Sequence, residues 1–305
     1  MPTDVTPSPR LLQSRMPYLY GLILALSTLL VTAPAEAHAT GDLSLKSFAV
    51  LVVDQDTGEA LISKNADVVV PIASLTKLMT ALVVLDAHQP MDEILEIGND
   101  DLDREKHTRS RLVVGTRLSR SDMLLLALMS SENRAAMALS RSYPGGRAAF
   151  ITRMNAKARA LGMNSSHFAD PAGLSSETTS TARDLLRLVN AADAQPVIRD
   201  DSTQTDGTVL VRRHQMTFVN TNRMVRNNRD WDIELQKTGF TNEAGRCLVM
   251  RATTLNHTLS MVFLNSVGTL TRFADAKRVR EHLERHAPKP LQRATTVATA
   301  LKGTS

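Results

Sequence analysis

Three short strings in this chain carry side chains that could break an acyl bond together. In chain order they are Ser74-Leu75-Thr76-Lys77, Ser131-Glu132-Asn133 and Lys237-Thr238-Gly239. A serine hydroxyl becomes a nucleophile when a base removes its proton, and a lysine can be that base if burial or a nearby cation lowers its pKa. The other hydroxyl, amide and ammonium groups could hold a peptide. The combination predicts acyl transfer through a covalent serine intermediate.

Each string taken alone also fits an ordinary structural role. Ser74 could cap a helix while Lys77 faces solvent, and Ser131 and Asn133 could cap neighbouring helices. Lys237 could simply begin a strand. Because each string falls on the type of element that its chemistry requires, we favour the catalytic interpretation for all three together.

The pattern of apolar residues indicates the elements that must position these strings. Lys77 stands three residues after Ser74 on a helix predicted to end near Ala87, so the two side chains share a face. The second string falls between two predicted helices, and the third opens a predicted strand. The predicted strands are Ser47–Val53, Glu59–Ser63, Leu235–Thr241, Arg246–Thr253 and Thr258–Ser266, and the remaining predicted helices are Asp122–Met129, Ala135–Ser142, Ala148–Leu161, Thr181–Ala192 and Phe273–His286.

The order of these elements predicts a mixed α/β protein of the α+β type. Two early strands and three late strands would form one antiparallel five-stranded sheet flanked by helices, and the mainly helical middle would form a second lobe. We expect a sheet lobe of about residues 43–90 and 207–287, a helical lobe of about 91–206, and a cleft between them. Residues 288–305 contain two prolines and little periodicity, which predicts a mobile tail.

Residues 1–37 are typical of a cleavable export signal. An apolar run from Tyr18 to Ala33 follows Arg10 and Arg15, and the small residues that end at Ala37 predict cleavage there, with Ala39 as the alternative. A membrane anchor is the other interpretation, but the run is shorter than the roughly 20 residues that a spanning helix needs. We therefore expect a periplasmic protein whose catalytic domain spans residues 38–287.

Composition argues against several other classes of function. The formal net charge is +5, and the densest basic stretch, residues 104–111, lacks interleaved aromatic residues, which favours a solvated loop or strand. This stretch could attract an anionic polymer such as the cell wall, whereas nucleic acid is not expected as a partner of an exported chain. We expect at most weak membrane association. The single Cys247 allows no internal disulfide. The eight histidines are scattered, so we predict no metal and no cofactor.

The chain resembles the serine D,D-peptidases of the low-molecular-weight penicillin-binding proteins, and within them the D-alanyl-D-alanine endopeptidases of the penicillin-binding protein seven type. The resemblance covers about residues 45–286 and implies the fold shared by β-lactamases and D,D-peptidases. It rests on the three strings and their surroundings, which are Pro71–Ala81, Leu124–Ala136, Pro171–Ser175, Ser180–Asp184 and Lys237–Asn242.

The resemblance implies a role for each residue of the site. Ser74 would attack a D-alanyl carbonyl, with Lys77 as general base and Ser131 relaying a proton to the leaving amine. Backbone N–H groups of Ser74 and Phe240 would form the oxyanion hole, and water would release the acyl-enzyme. The expected substrate-binding residues are Asn133, Lys237, Thr238, Gly239, Phe240 and Arg272. For Arg272, the alternative role is that of a surface residue that caps a helix.

The implied substrates are peptidoglycan peptides with D-Ala–diaminopimelate cross-links, and the implied covalent inhibitors are β-lactams. Removal of a terminal D-Ala is the alternative that the motifs leave open, although Glu132, where many relatives have Gly, is typical of the endopeptidase-like subgroup. A β-lactamase is disfavoured because Phe168–Thr181 offers only Glu177, without a following Asn, as a deacylating base. A non-catalytic β-lactam sensor is disfavoured because all the catalytic residues are present.

Overall fold

The computed structural model describes residues 43–227 and 230–286. The predicted export signal and the predicted tail lie outside the described residues. The strands are β1 (Ser47–Asp54), β2 (Ala60–Lys64), β3 (Val70–Pro71), β4 (Ile94–Glu96), β5 (Arg117–Ser119), β6 (Thr179–Ser180), β7 (Asp206–Val211), β8 (His214–Val219), β9 (Asp232–Thr241), β10 (Gly245–Thr254) and β11 (His257–Ser266). The helices are α1 (Lys77–Asp86), α2 (Arg120–Met129), α3 (Asn133–Arg141), α4 (Gly146–Ala160), α5 (Ala182–Asp193), α6 (Pro196–Thr203), α7 (Arg223–Arg226) and α8 (Thr271–His286).

The main sheet joins both ends of the described chain, as the sequence predicts. Its five antiparallel strands lie in the order β2-β1-β11-β10-β9. Strand β1 is apolar on both faces because helices cover the sheet on both sides: α8 packs on one face and α5 on the other. The edge strand β9 carries the Lys237-Thr238-Gly239 string, and its outer edge faces the 3-10 turn of Ala73–Thr76.

The segment between the two groups of sheet strands is less helical than predicted. The stretch from Pro90 to Ser119 contains two short strands and a 3-10 turn but no α-helix. The β7–β8 hairpin was missed, although Val209 and Val211 are buried on either side of the exposed Leu210, which is a strand pattern. This hairpin packs against β5 and α2 instead of joining the main sheet. The boundaries of the two lobes stay a prediction.

The start of α1 is held by a loop at residues 170–175. The Asp170 carboxylate accepts hydrogen bonds from four successive backbone N–H groups, those of residues 172–175, and from the Thr178 hydroxyl, at 2.7–3.1 Å. The folded loop then presents its backbone carbonyls to α1, where Thr80 Oγ1 donates to the Pro171 oxygen at 2.6 Å. A single half-buried carboxylate group thereby shapes one wall of the site.

Gly173 lies where this loop meets the turn before α1. Its φ is +75°, in the left-handed region, and a Cβ built on it would lie 1.9 Å from the backbone oxygen of Ala73. Ala73 itself has a φ of +47°, which is costly for a residue with a side chain. Glycine at position 173 therefore leaves room for the strained backbone immediately before Ser74.

Searched over its described residues, the chain has no helix that is both long enough and apolar enough to cross a membrane.

Replacing Gly173 by alanine is expected to destabilise the protein through a backbone clash. The matched control is Gly58→Ala, because Gly58 also has a φ of +75° but a Cβ added there would have no atom within 4 Å. We expect the control to lose about 1–2 kcal/mol from left-handed strain, and Gly173→Ala to lose about 2–3 kcal/mol more from overpacking. Urea unfolding measures both values, and equal losses would contradict the clash.

Candidate active site

The first string folds as a 3-10 turn, Ala73–Thr76, that runs directly into α1. Ser74 is in the turn and Lys77 is the first residue of the helix, so both face the same side, as predicted. Lys77 Nζ lies 2.8 Å from Ser74 Oγ, 2.7 Å from Asn133 Oδ1 and 2.8 Å from the backbone oxygen of Ala172. Three separate elements therefore fix this nitrogen beside the hydroxyl.

Lys77 is completely buried, which changes its proton affinity. Desolvation by burial lowers the pKa of its ammonium group from 10.5 to about 7, against the opposing negative charges of Asp170, Glu132 and Asp103. A large fraction of the Lys77 side chain is therefore a neutral amine at neutral pH. Such an amine can accept the proton of the adjacent Ser74 hydroxyl.

The second string forms the connection between α2 and α3. Ser131 has a φ of +61°, a left-handed conformation that is rare for serine, and the backbone N–H of Glu132 folds back to the oxygen of Leu126 at 3.0 Å. This turn points the Ser131 hydroxyl at Lys237, whose Nζ lies 2.9 Å from Ser131 Oγ. The strained backbone at Ser131 is thus what directs its hydroxyl toward Lys237.

The third string lies on the edge strand β9. Lys237 is fully buried, and burial together with the positive charges of Lys77 and Arg272 lowers the pKa of its ammonium group well below the ordinary value. Thr238 Oγ1 lies 2.6 Å from the hydroxyl of Thr221, whose backbone N–H donates to the last residue of α2. The third string is therefore linked through Thr221 to the end of α2, the helix that precedes the second string.

Gly239 lets β9 lie against the backbone of the nucleophile. A Cβ at this position would come within 3.2 Å of the Ser74 nitrogen and 3.0 Å of the Ile72 oxygen. Because β9 is an edge strand, alternate backbone N–H and C=O groups along it are free of sheet pairing. Phe240 follows, half exposed at 51%, with the Arg246 guanidinium over its ring at 4.2 Å.

Asn133 and Glu132 attach the second string to a loop that sequence reasoning did not select. Asn133 Nδ2 donates to Thr108 Oγ1 at 2.9 Å, and the Ser110 hydroxyl donates to the Glu132 carboxylate at 2.6 Å. Burial raises the pKa of Glu132, although the bonds from Ser110 and from the Arg111 backbone oppose the shift. These contacts orient the Asn133 amide so that its oxygen faces Lys77.

A cavity of about 210 Å³ opens beside Ser74, although Lys77, Ser131 and Lys237 are not among the residues that line it. Ser74, Asn133, Gly173 and Phe240 are among the residues that line it. At its edge, Lys106 Nζ pairs with the Glu243 carboxylate at 2.5 Å, which links the loop that carries Thr108 to the turn between β9 and β10. The cavity is large enough for the end of a peptide.

Arg272 is buried in the first turn of α8, with 6% of its surface exposed, so it is not a surface cap. Its Nη1 donates to the Thr269 oxygen at 2.9 Å, and its guanidinium stacks on the Phe273 ring at 4.3 Å. Burial and the charge of Arg246 lower the pKa of Arg272 to about 10. Its buried Nε has no hydrogen-bond partner within the described part of the chain.

Two other sequence predictions concern residues near the site. Glu177, the only carboxylate considered as a deacylating base, is exposed and does not line the cavity of Ser74. Cys247 is fully buried in β10, as its apolar neighbours indicate, and burial raises the pKa of its thiol to about 11.

Sequence reasoning missed four residues that hold the machinery in place: Asp170, Thr108, Thr221 and Lys106. Only Asp170 had a local signal, since an acidic residue followed by Pro171-Ala172-Gly173 is typical of a turn held by a side chain. The other three contact partners 17 to 137 residues away along the chain. Contacts between residues so far apart in the sequence produce no local sequence pattern from which they could be predicted.

Comparison with known proteins identifies the family of this chain. Residues 34–268 match the family model of peptidase S11, described as D-alanyl-D-alanine carboxypeptidase. The chain is 48% identical to a D-alanyl-D-alanine endopeptidase of Pseudomonas aeruginosa, over 90% of this chain and 89% of that protein. It is 45% identical to a D-alanyl-D-alanine endopeptidase of Escherichia coli, over 83% of this chain and 82% of that protein.

A solved structure extends the likeness to the fold. The structure of penicillin-binding protein D2 from Listeria monocytogenes in its ampicillin-bound form superposes with a TM-score of 0.67 at 30% identity, over 79% of this chain and 98% of that one. The predicted fold class and the family resemblance are both confirmed. The chain is a serine D-alanyl-D-alanine peptidase and belongs to the peptidase S11 family.

Proposed function

We propose that this protein is an exported D,D-endopeptidase that hydrolyses D-Ala–diaminopimelate cross-links in peptidoglycan through an acyl-enzyme at Ser74. The observation that carries the proposal is the 2.8 Å contact between Ser74 Oγ and the buried Lys77 Nζ. The amine takes the hydroxyl proton as the oxygen attacks the D-alanyl carbonyl. Backbone N–H groups of Ser74 and Phe240 stabilise the oxyanion, which the close packing at Gly239 supports.

Ser131 passes a proton to the leaving amine. Its hydroxyl is hydrogen-bonded to Lys237 Nζ, while Asn133 connects the same turn to Lys77. The Ser131 hydroxyl gives its proton to the leaving nitrogen, and the proton that Lys77 took from Ser74 replaces it. Departure of the amine leaves the acyl group on Ser74, and water then releases it.

The carboxylate next to the leaving amine is bound at a cationic end of the cleft. Lys237 and Thr238 hold it, and Arg272 adds charge from a buried position. Burial without a counter-anion lowers the pKa of both Lys237 and Arg272. A substrate carboxylate would supply the missing negative charge, which gives these residues their affinity for it.

The choice of the endopeptidase reaction is supported by the two bacterial relatives compared above, which carry that name. Removal of a terminal D-Ala is the second candidate, because the family description names carboxypeptidases. Glu132, which is bonded to Ser110 in this site, is the sequence feature that favours the first. An export signal at residues 1–37 and a periplasmic location complete the proposal.

Covalent inhibition by β-lactams is supported by the ampicillin-bound neighbour. We propose that the adduct at Ser74 is long-lived, because Glu177 is exposed and the Asp170 carboxylate is fully occupied by its own loop. Steady hydrolysis of a chromogenic cephalosporin would favour a β-lactamase instead.

The direct test of the function uses two substrates. Purified protein is expected to convert cross-linked muropeptide dimers to monomers, identified by mass, and Ser74→Ala should lower the rate on the order of a thousandfold or more. The matched control is Ser121→Ala, on α2 and away from the cavity, which should cleave normally. Cleavage of monomeric pentapeptide without cleavage of dimers would reject the endopeptidase proposal in favour of the carboxypeptidase.

Acylation should depend on pH in the way that a lysine base of low pKa requires. Only neutral Lys77 accepts the Ser74 proton, so the second-order rate constant for acylation by a penicillin should rise with pH and level off above a midpoint near 7. The constant is measured between about pH 5 and pH 9, on either side of that midpoint. A rate that is still rising about tenfold per pH unit at the upper end would show that Lys77 keeps an ordinary pKa.

Glu132→Gln is expected to move that midpoint downward. The negative charge of Glu132 raises the pKa of Lys77, so its removal should lower the midpoint by several tenths of a pH unit, while the amide keeps a bond to Ser110. Glu105→Gln removes an exposed carboxylate that does not act on Lys77 and is the matched control. An upward shift, or equal shifts in both variants, would contradict this electrostatic link.

A further inference from the structure

A second, larger cavity adjoins the cavity of Ser74. It is an open groove of about 680 Å³, lined among others by Arg109, Arg111 and Arg134, and is called here the arginine groove. Thr108 lines both this groove and the cavity of Ser74, so the two share a wall. A substrate that extends from the site past Thr108 would therefore reach the groove.

The position of the groove relative to Ser131 identifies which part of a substrate would reach it. Ser130 and Glu132, the two neighbours of Ser131, line the arginine groove and are not among the residues that line the cavity of Ser74. Ser131 is the residue that hands the proton to the leaving amine. The groove therefore begins beside Ser131, on the side of the site from which the leaving group departs.

The charge of the groove suits an anion. Its three arginines face one carboxylate, Glu132, which is already bonded to Ser110. Arg111 and Arg134 each use one N–H on a backbone oxygen, at 2.8 Å, and keep their other donors. Arg109 is exposed, and no described residue forms a hydrogen bond or an ion pair with it. Unpaired guanidinium groups bind carboxylates in a bidentate manner.

The two candidate substrates differ at this place. In both, the leaving amine stands on a carbon that bears a carboxylate, which Lys237 and Thr238 can hold. In a pentapeptide that carbon also bears a methyl group, and the substrate ends there. In a cross-link it bears the methylene chain of diaminopimelate, which leads to a second peptide stem with carboxylates of its own. Only the cross-link has a part that can occupy the groove.

We infer that the arginine groove binds the carboxylates of the second peptide stem and thereby selects cross-linked peptides over monomeric ones. The inference rests on the proposed endopeptidase function and names the residues that would give it its substrate preference. Arg109 is the main determinant, since its guanidinium is committed to nothing else among the described residues.

The test compares kcat/KM for a cross-linked dimer with kcat/KM for a monomeric pentapeptide. The ratio should fall about threefold in Arg109→Gln and about tenfold or more in Arg109→Glu, mainly through KM, and Arg109→Lys should restore part of it. Arg159→Glu makes the same charge change on an exposed residue of α4 and should leave the ratio unaltered. Labelling by a fluorescent penicillin verifies that each variant is folded.

A chemically altered substrate tests whether the arginine groove recognises the carboxylates of the second stem or only attracts negatively charged molecules in general. A dimer in which the carboxylates of the second stem are amides, apart from the one that Lys237 and Thr238 hold, should be cleaved by the unaltered protein about as slowly as the native dimer is cleaved by Arg109→Gln. An unchanged ratio in the Arg109 variants, or no effect of amidation, would overturn the inference alone. Failure of the unaltered protein to cleave any dimer would reject the proposed function as well.

Discussion

The structure depends on the burial of two lysine side chains beside two serine hydroxyls. An isolated ammonium group is costly to remove from water, so it either loses its proton or must be surrounded by acceptors. Lys77 has three acceptors, from the turn before α1, from α3 and from the loop of Asp170. Each of these segments must be in place for the nitrogen to be buried. The packing that buries the Lys77 nitrogen is therefore also what makes it a base.

The backbone reaches the conformation that buries Lys77 only with strain at a few residues. Ala73 and Ser131 both have positive φ angles, and each precedes or carries a hydroxyl of the site. Gly173 and Gly239 allow the neighbouring chain segments to approach to distances that a side chain would block. Strain at functional residues persists where the surrounding structure enforces it, and here the loop of Asp170 and the edge strand β9 supply that enforcement.

The three strings and the elements that carry them could be predicted because they depend on residues that are close together in the sequence. Spacing on one helix brings Ser74 and Lys77 together, and the apolar pattern locates the strand of Lys237. Thr108 and Thr221 could not be found in that way, since they act through contacts with residues far along the chain. The basic stretch at residues 104–111 is largely exposed, as its composition indicates, but its place beside the site depends on contacts with distant residues, such as the bonds from Ser110 to Glu132 and from Asn133 to Thr108.

The central claim is that burial makes Lys77 a neutral base. Its side-chain nitrogen can be followed directly by NMR of protein labelled with ¹⁵N-lysine, with the signal assigned by its loss in Lys77→Arg. We predict a titration midpoint near pH 7 in the free protein. A midpoint close to that of an ordinary lysine, about 10.4, would contradict the account.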